Sequence, residues 1–212
     1  MFVYGDGRQM IVGAVVLAAG KSERMGQNKL LLPLNGKTVI DNVLDALSDA
    51  GIDEQVIVVG YKPKEIIEAV QPRLNKLKLT INWDYEKGMT SSFQNGLQVL
   101  RRVDAVFLVL GDEPIFDSKV LCSMIEQMQN KRRGALIVSP IHMGKKEHPL
   151  LFHSQLFEEI FDLKGTETIR EVLYRHEDKL LKIESPQWTV MDIDTPEDYR
   201  AVRDIFKASQ TR

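Results

Sequence analysis

Four short apolar runs, rich in Val and Ile and bounded by Gly, Pro or charged residues, limit what this chain can become: residues 11–17, 55–60, 105–110 and 135–139. Apolar runs of that length with no polar alternation read as strands buried on both faces. Between them lie segments with helical spacing: Val39, Val43, Leu44 and Leu47; then Phe93, Leu97 and Leu100; then Val120, Leu121, Met124, Ile125 and Met128. Repeated strand, helix, strand units call for right-handed crossovers and a mainly parallel sheet with helices on both faces, so the fold class is α/β. In such sheets ligands sit beyond the carboxyl ends of the strands, and the residues that follow each run are the ones to read for chemistry.

The second half is less regular. An apolar piece at 149–152, amphipathic stretches near 156–163 and 168–174, and a strand candidate at 180–184 suggest a small antiparallel addition. A last helix starts at Thr195-Pro196-Glu197-Asp198, with Thr195 as cap, Pro196 at the first position and acids in the first turn. With 212 residues and 43% hydrophobic content, the chain suffices for one core. The expectation is a single domain over residues 11–212 after a lead-in of residues 1–10.

A formal net charge of -2 gives no broad positive field for nucleic acid or a membrane surface, so a phosphate ligand must be caught locally. The apolar stretch at 10–19 is well short of the roughly 20 residues of a membrane span and lacks a cationic leader. One cysteine, Cys122, cannot close an internal disulfide and, on an amphipathic segment, is expected to pack. These features suit a cytoplasmic protein. His142, His153 and His176 have no partners nearby in sequence and are expected to face solvent.

After the first run comes Leu17-Ala18-Ala19-Gly20-Lys21-Ser22-Glu23-Arg24-Met25-Gly26-Gln27-Asn28-Lys29. It is neither a dinucleotide fingerprint nor a Walker A loop. Ala18, Ala19 and Gly20 are nearly bare, so a base or ribose can lie against the backbone while peptide N–H groups face a triphosphate. Lys21, Arg24 and Lys29 supply positive charge for a leaving pyrophosphate. The bland alternative is a tight turn with solvated basic residues.

Two acidic features follow. Gly111-Asp112-Glu113-Pro114 ends the third run, and Asp192 and Asp194 stand two residues apart, where an extended backbone points both side chains the same way. Magnesium commonly uses one or two carboxylates plus substrate phosphates, so Asp112 with Asp192 or Asp194 would suffice. Turn formation by Asp112 and capping by Asp194 are the ordinary alternatives. Gly88-Met89-Thr90-Ser91-Ser92 puts hydroxyl residues at a helix start, where they can cap or where an anion can bind.

Taken in order, these stretches resemble the molybdopterin nucleotidyltransferase family, and its molybdenum cofactor cytidylyltransferase branch in particular. The family's loop runs Leu-Ala-(Ala or Gly)-Gly, two or three residues, Arg-Met-Gly, two residues, Lys, and every position is filled here. Leu-Gly-Asp-(Met, Gln or Glu)-Pro and Asp-Ile-Asp-Thr-Pro-Glu-Asp match at residues 110–114 and 192–198. The Gly-Met-(Ser or Thr)-Ser-Ser stretch follows a short strand ending in Asn or Trp in the family, and Asn82-Trp83 stands upstream here. Glu147-His148-Pro149-Leu150-Leu151-Phe152 is similar to Gly-His-Pro-Val-Leu-Phe, with Glu147 replacing the usual Gly. Lys164-Gly165-Thr166-Glu167 departs from Gly-Asp-x-Gly.

The resemblance implies a Rossmann-like three-layer α/β/α fold of the nucleotide-diphospho-sugar transferase type. It further implies transfer of CMP from CTP to molybdopterin with release of pyrophosphate. Leu17, Ala18, Ala19, Gly20, Lys21, Arg24 and Lys29 would bind nucleotide, with Arg24, Lys29 and Asp112 catalytic. Asp112, Asp192 and Asp194 would hold magnesium or manganese, with Glu113 a neighbour and not a ligand. Thr90, Ser91, Ser92 and His148 would face the acceptor, and a client molybdoenzyme would be a partner. The rivals are a cytidylyl- or uridylyltransferase acting on a sugar phosphate or alcohol phosphate, a guanylyltransferase acting on molybdenum cofactor, and a maturation protein that carries nucleotide or cofactor without turnover. A nicotinamide oxidoreductase is disfavoured by the missing Gly-x-Gly-x-x-Gly.

Overall fold

The computed structural model describes residues 9–100, 102–114, 118–130, 134–142, 145–146, 148–185 and 191–209. Residues 1–8 of the expected lead-in and Glu147 lie outside the described residues.

The apolar runs become strands β1 (Val12–Ala18), β4 (Glu54–Val59), β6 (Ala105–Leu110) and β7 (Ile137–His142). The segments of helical spacing become α1 (Val39–Asp49), α3 (Met89–Val99) and α4 (Ser118–Gln129). Periodicity did not announce α2 (Pro63–Val70) or β5 (Leu77–Ile81). Both are short, and β5 carries a lysine and a threonine among its five residues, so its apolar signal is diluted. The hairpin of β2 (Pro33–Leu34) and β3 (Lys37–Thr38) was also unread, although Asn35 and Gly36 both adopt positive φ, the conformation a tight Asn-Gly hairpin turn requires.

In the second half lie β8 (Lys145–Lys146), β9 (Leu150–His153), α5 (Phe157–Asp162), α6 (Ile169–Arg175), β10 (Leu180–Glu184) and α7 (Pro196–Ser209). The main sheet runs β10-β7-β9-β6-β1-β4-β5, with β8 on β7. Strand β9 is the antiparallel insertion, lying between β6 and β7, while β1, β4, β5 and β6 pair in parallel, as do β7 and β10.

Alternate residues of β1 feed two cores. Val12, Ala14, Val16 and Ala18 pack with α1, α2 and α4 on one face, while Val15 packs with α3, α5 and α6 on the other. This is the expected three-layer α/β/α arrangement. Helix α3 comes close to the sheet because Gly96 has no side chain: a Cβ there would stand 2.4 Å from Val15 Cγ1. Phe93 and Leu97 of α3 are wholly buried, and truncating Phe93 to Ala should cost about 3–5 kcal/mol. A third cluster, Leu32, Leu34, Val39, Ile193 and Val202, fastens the hairpin and α7 beside α1.

From β1 the chain moves outward to β4 and β5, then returns through α3 to β6 on the other side of β1. The strand order therefore reverses beside β1, and the crevice at the carboxyl ends of β1 and β6 is the place such sheets offer a ligand.

Two of the sequence expectations need correction. Of the three histidines expected to face solvent, His153 is buried and its Nδ1 accepts from Gln155 N, while the other two are half-buried and partnered: His176 Nε2 lies 2.6 Å from Glu159 Oε2, and His142 Nδ1 lies 3.3 Å from the Ser185 carbonyl. Their partners come from the turn that follows or from other elements, which spacing along the chain does not reveal. The hydroxyls at the start of α3 do not cap its N–H groups either, because Gly88 is the cap residue and Ser91 Oγ instead donates to the Gly88 carbonyl (2.9 Å). Cys122 packs against the first core, as expected.

Candidate active site

The loop after β1 is folded by its own short side chains. Ser22, in the left-handed region, accepts at Oγ from Lys29 N (3.3 Å), and Asn28 Oδ1 accepts from Leu30 N (3.2 Å). Leu30 is buried in the first core, which anchors the neighbouring Lys29. Gly111 brings the end of β6 against β1: its N–H donates to the Leu17 carbonyl, and a Cβ at Gly111 would lie 2.7 Å from that same oxygen. The 191–195 segment is tied in by Ile193 N donating to the Asp112 carbonyl (3.1 Å). Thr195 and Asp198 form a reciprocal cap for α7, as expected, which leaves the Asp194 carboxylate free of capping duty.

These constraints bring residues more than 160 positions apart into one cluster. Lys29 Nζ pairs with Asp112 Oδ2 and lies 2.7 Å from Asp194 Oδ1, and Arg24 Nη2 pairs with Asp194 Oδ2. The Lys29 side chain is only 14% exposed. Burial opposes its charge, but the carboxylates of Asp112 and Asp194 outweigh that and hold its pKa above the usual lysine value. The hydrogen bond from Lys29, aided by Arg24, holds Asp194 below the usual carboxylate range despite some desolvation. Asp192, largely exposed by surface area, is pushed up by partial desolvation and by repulsion from Asp194 and Asp112. The three carboxylates thus share one neighbourhood. Among the described residues, however, no group of three His, Cys, Asp or Glu is arranged to hold a metal ion, and Asp112 and Asp194 meet on Lys29.

A cleft of about 780 Å³ opens over this cluster, lined by all of the residues from Leu17 to Arg24 together with Lys29, Asp112 and Asp194. That volume lies in the range of small-molecule sites. Lys21 Nζ reaches across to Glu86 Oε1 at 2.8 Å and lies 5.9 Å from the Tyr85 ring centroid. Met89 of the Gly-Met-Thr-Ser-Ser stretch also lines the cleft, as do Tyr85 and Glu86, which no motif in the sequence singles out.

A second cavity, about 540 Å³, adjoins the cleft through Gly88 and Met89, which line both. Its walls include Thr90, Leu108, His148 and the 165–170 loop, with Tyr174 on its edge at 74% exposure. The four expected acceptor residues divide. Thr90 and His148 line this cavity and Ser92 lines the first, whereas Ser91 lines neither. The hydroxyls have structural partners: Asn82 Nδ2 donates to Ser91 and Ser92 Oγ, both at 3.0 Å, and Thr90 Oγ1 accepts from Ile169 N (3.2 Å) at the start of α6. Behind His148 stands Glu113, whose burial pushes its pKa up despite the nearby imidazole.

Among the described residues no helix is long and apolar enough to cross a membrane.

The comparisons agree with this geometry. The chain is 26% identical to the molybdenum cofactor cytidylyltransferase of Escherichia coli (strain K12), over 92% of this chain and 97% of that protein. It is 30% identical to the purine catabolism protein PucB of Bacillus subtilis (strain 168), over 89% of this chain and 94% of that one. Among solved structures, Rv0371c of Mycobacterium tuberculosis H37Rv superposes with a TM-score of 0.80 at 26% identity, over 92% of this chain and 98% of that one. A complex of Rv0371C with manganese has also been solved, with a TM-score of 0.74 at 23% identity over 92% and 99% of the two chains. The model of the MobA-like NTP transferase domain matches residues 14–180, which is most of the chain, and this protein therefore belongs to that family of nucleotidyltransferases.

Proposed function

We propose that residues 11–212 act as one unit that transfers CMP from CTP to molybdopterin and releases pyrophosphate. The observation that carries this reading is the cluster of Lys29, Arg24, Asp112 and Asp194 at the mouth of a cleft that continues into a second cavity. Two substrates can then meet at Asp112. An oxygen of the acceptor's phosphate forms a bond to the α-phosphorus of the nucleotide, the bond from that phosphorus to the β-phosphate oxygen breaks, and pyrophosphate leaves. Leu17, Ala18, Ala19 and Gly20 present bare backbone to the nucleotide, with Lys21 beside them. Arg24 and Lys29 lie close to where charge grows on the leaving group, and fixed cations there stabilise the transition state more than the ground state.

The donor set also suits a divalent cation. Oxygen-only ligands with repelling charges, as Asp112, Asp192 and Asp194 present, are what magnesium or manganese favours. When bound, such an ion polarises phosphate oxygens. Asp112 and either Asp192 or Asp194 would hold it, and Lys29 would keep the carboxylates from repelling one another before it arrives. The choice of CTP follows from the similarity of Leu17-Ala18-Ala19-Gly20 to the cytidylyltransferase branch, and that of molybdopterin from the similarity around His148. The expected setting is the cytoplasm, with a client molybdoenzyme receiving the product.

The test is pyrophosphate release from CTP, GTP, ATP and UTP in separate reactions with magnesium and molybdopterin, with and without inserted molybdenum. Preference for CTP and loss of release on chelation are expected. Preference for GTP moves the protein to the guanylyltransferase branch. Reaction only with a sugar or alcohol phosphate removes the acceptor assignment and leaves nucleotidyl transfer standing.

A further inference from the structure

Glu113 takes no part in the chemistry above, yet it stands between Asp112, its chain neighbour, which lines the first cavity, and His148, its side-chain partner, which lines the second. Strand β9 pairs antiparallel with β6, and Leu150 faces Leu108. The chain enters β9 through His148 and Pro149, at the end of the ladder where β6 runs on to Leu110. The turn that follows β6, in which Glu113 N donates to the Leu110 carbonyl (3.3 Å), carries Glu113 round towards His148. Glu113 Oε1 then lies 3.4 Å from His148 Nδ1, with the two side chains 12% and 26% exposed. Asp112, the neighbour of Glu113, lines the nucleotide cleft, and His148 lines the second cavity.

A carboxylate buried to this degree needs a donor, because it has only acceptor oxygens and has lost most of its water. An imidazole has two distinct nitrogens, and the partner of one decides what the other can do. A carboxylate at Nδ1 calls for a proton on Nδ1 and leaves Nε2 as the nitrogen available to a ligand.

We propose that Glu113 is a positioning residue for the acceptor: it takes the hydrogen bond from His148 Nδ1–H and so presents His148 Nε2 to the molecule in the second cavity. The kinetic part rests on the reading that the acceptor occupies that cavity; the Glu113–His148 contact does not. Sequence adjacency makes the arrangement economical, since one turn supplies Asp112 to the nucleotide side and Glu113 to the acceptor side.

The test uses the full chain labelled with 15N-histidine, with the His148 signals assigned by their loss in His148→Gln. In the wild type and in Glu113→Gln, whose amide oxygen still accepts, His148 is expected to carry its proton on Nδ1. Glu113→Leu, which fills the space without an acceptor, is expected to abolish that preference. A wild-type His148 protonated on Nε2 alone, or one whose state is unchanged by the Leu variant, overturns the proposal. In turnover assays Glu113→Leu should raise the acceptor KM about tenfold, the worth of one hydrogen bond, and leave the CTP KM unchanged. Combined with His148→Gln it should do no further harm, and Glu113→Gln should restore near wild-type behaviour. Equal changes in both KM values, or additive losses, also overturn it. If wild-type protein does not react with molybdopterin at all, the acceptor reading fails, and the nitrogen signals still decide whether Glu113 orients His148.

Discussion

The two cavities that meet at Gly88 and Met89 are built differently. The first cleft has one continuous loop, Leu17 to Arg24, as a wall, facing Tyr85, Glu86 and Met89, and its charges are locked by Lys29 between two carboxylates. The second cavity is assembled from α3, the approach to β9 and the 165–170 segment with α6, and Thr90 Oγ1 ties α3 to the start of α6. A site made of contiguous backbone and paired charges tolerates little change. One made of side chains from separate elements can alter its contacts piecemeal.

Replacing Asp112 by Asn tests the first half of that contrast most severely. Pyrophosphate release should fall by at least roughly 10²–10³, the loss typical of removing one electrostatic group at a reacting centre, with little change in melting temperature. Full magnesium-dependent activity in this variant would remove Asp112 from the chemistry. Lys29→Met should lose on the order of 10² in kcat, and titration by NMR should find the Asp194 carboxylate moved up from its lowered value once the hydrogen bond from Lys29 is gone. An unshifted Asp194 would mean that Arg24 alone holds it.

Gly111→Ala tests how tightly the strand ends abut. The added Cβ would meet the Leu17 carbonyl at 2.7 Å, so the backbone must shift, at a cost of about 1–3 kcal/mol read as a lower melting temperature. The CTP KM should rise with it, because the same shift moves the phosphate loop. On the other side, Tyr174→Ala should weaken the acceptor by a few-fold, in keeping with about 0.5–1.5 kcal/mol for an aromatic contact, without touching the CTP KM. A matching change in both constants would contradict the division into two cavities.

The smallest effect concerns the clamp between α5 and α6. Burial works against the Glu159 anion, but hydrogen bonds from His176 and Arg175 win and lower its pKa from 4.5. A lowered carboxylate contributes stability above its unfolded value and loses it as pH falls through the folded one. Glu159→Gln should therefore melt slightly earlier than wild type at pH 7 and no earlier in acid below that range. A gap that persisted in acid would assign the loss to packing instead of charge.

Much of this was legible before any coordinates. The Val- and Ile-rich runs fall within one residue of β1, β4 and β6 and within three of β7, because strands buried on both faces leave a continuous apolar record. The antiparallel piece at β9 and the cap at Thr195 were equally readable. Helix α2 and strand β5 escaped because both are short and part-exposed, and the β2–β3 hairpin because each strand holds two residues. That the loop from Leu17 to Lys29 lines a cleft with its bare backbone and closely spaced cations was also readable, since both are local properties.

What only the tertiary structure decided is which side chains meet. Asp112 and Asp194 each had an ordinary alternative in sequence, and folding gave both of them Lys29 as a partner. Ser91, Ser92 and Thr90, which read as caps or anion contacts, are drawn to Asn82 and to the start of α6. His148 found Glu113 where the approach to β9 passes the turn after β6, and His176 found Glu159 from a neighbouring helix. The physical reason is common to all of them. Apolar periodicity is written along the chain, whereas a hydrogen bond or an ion pair depends on a distance of about 3 Å between residues that only packing brings together.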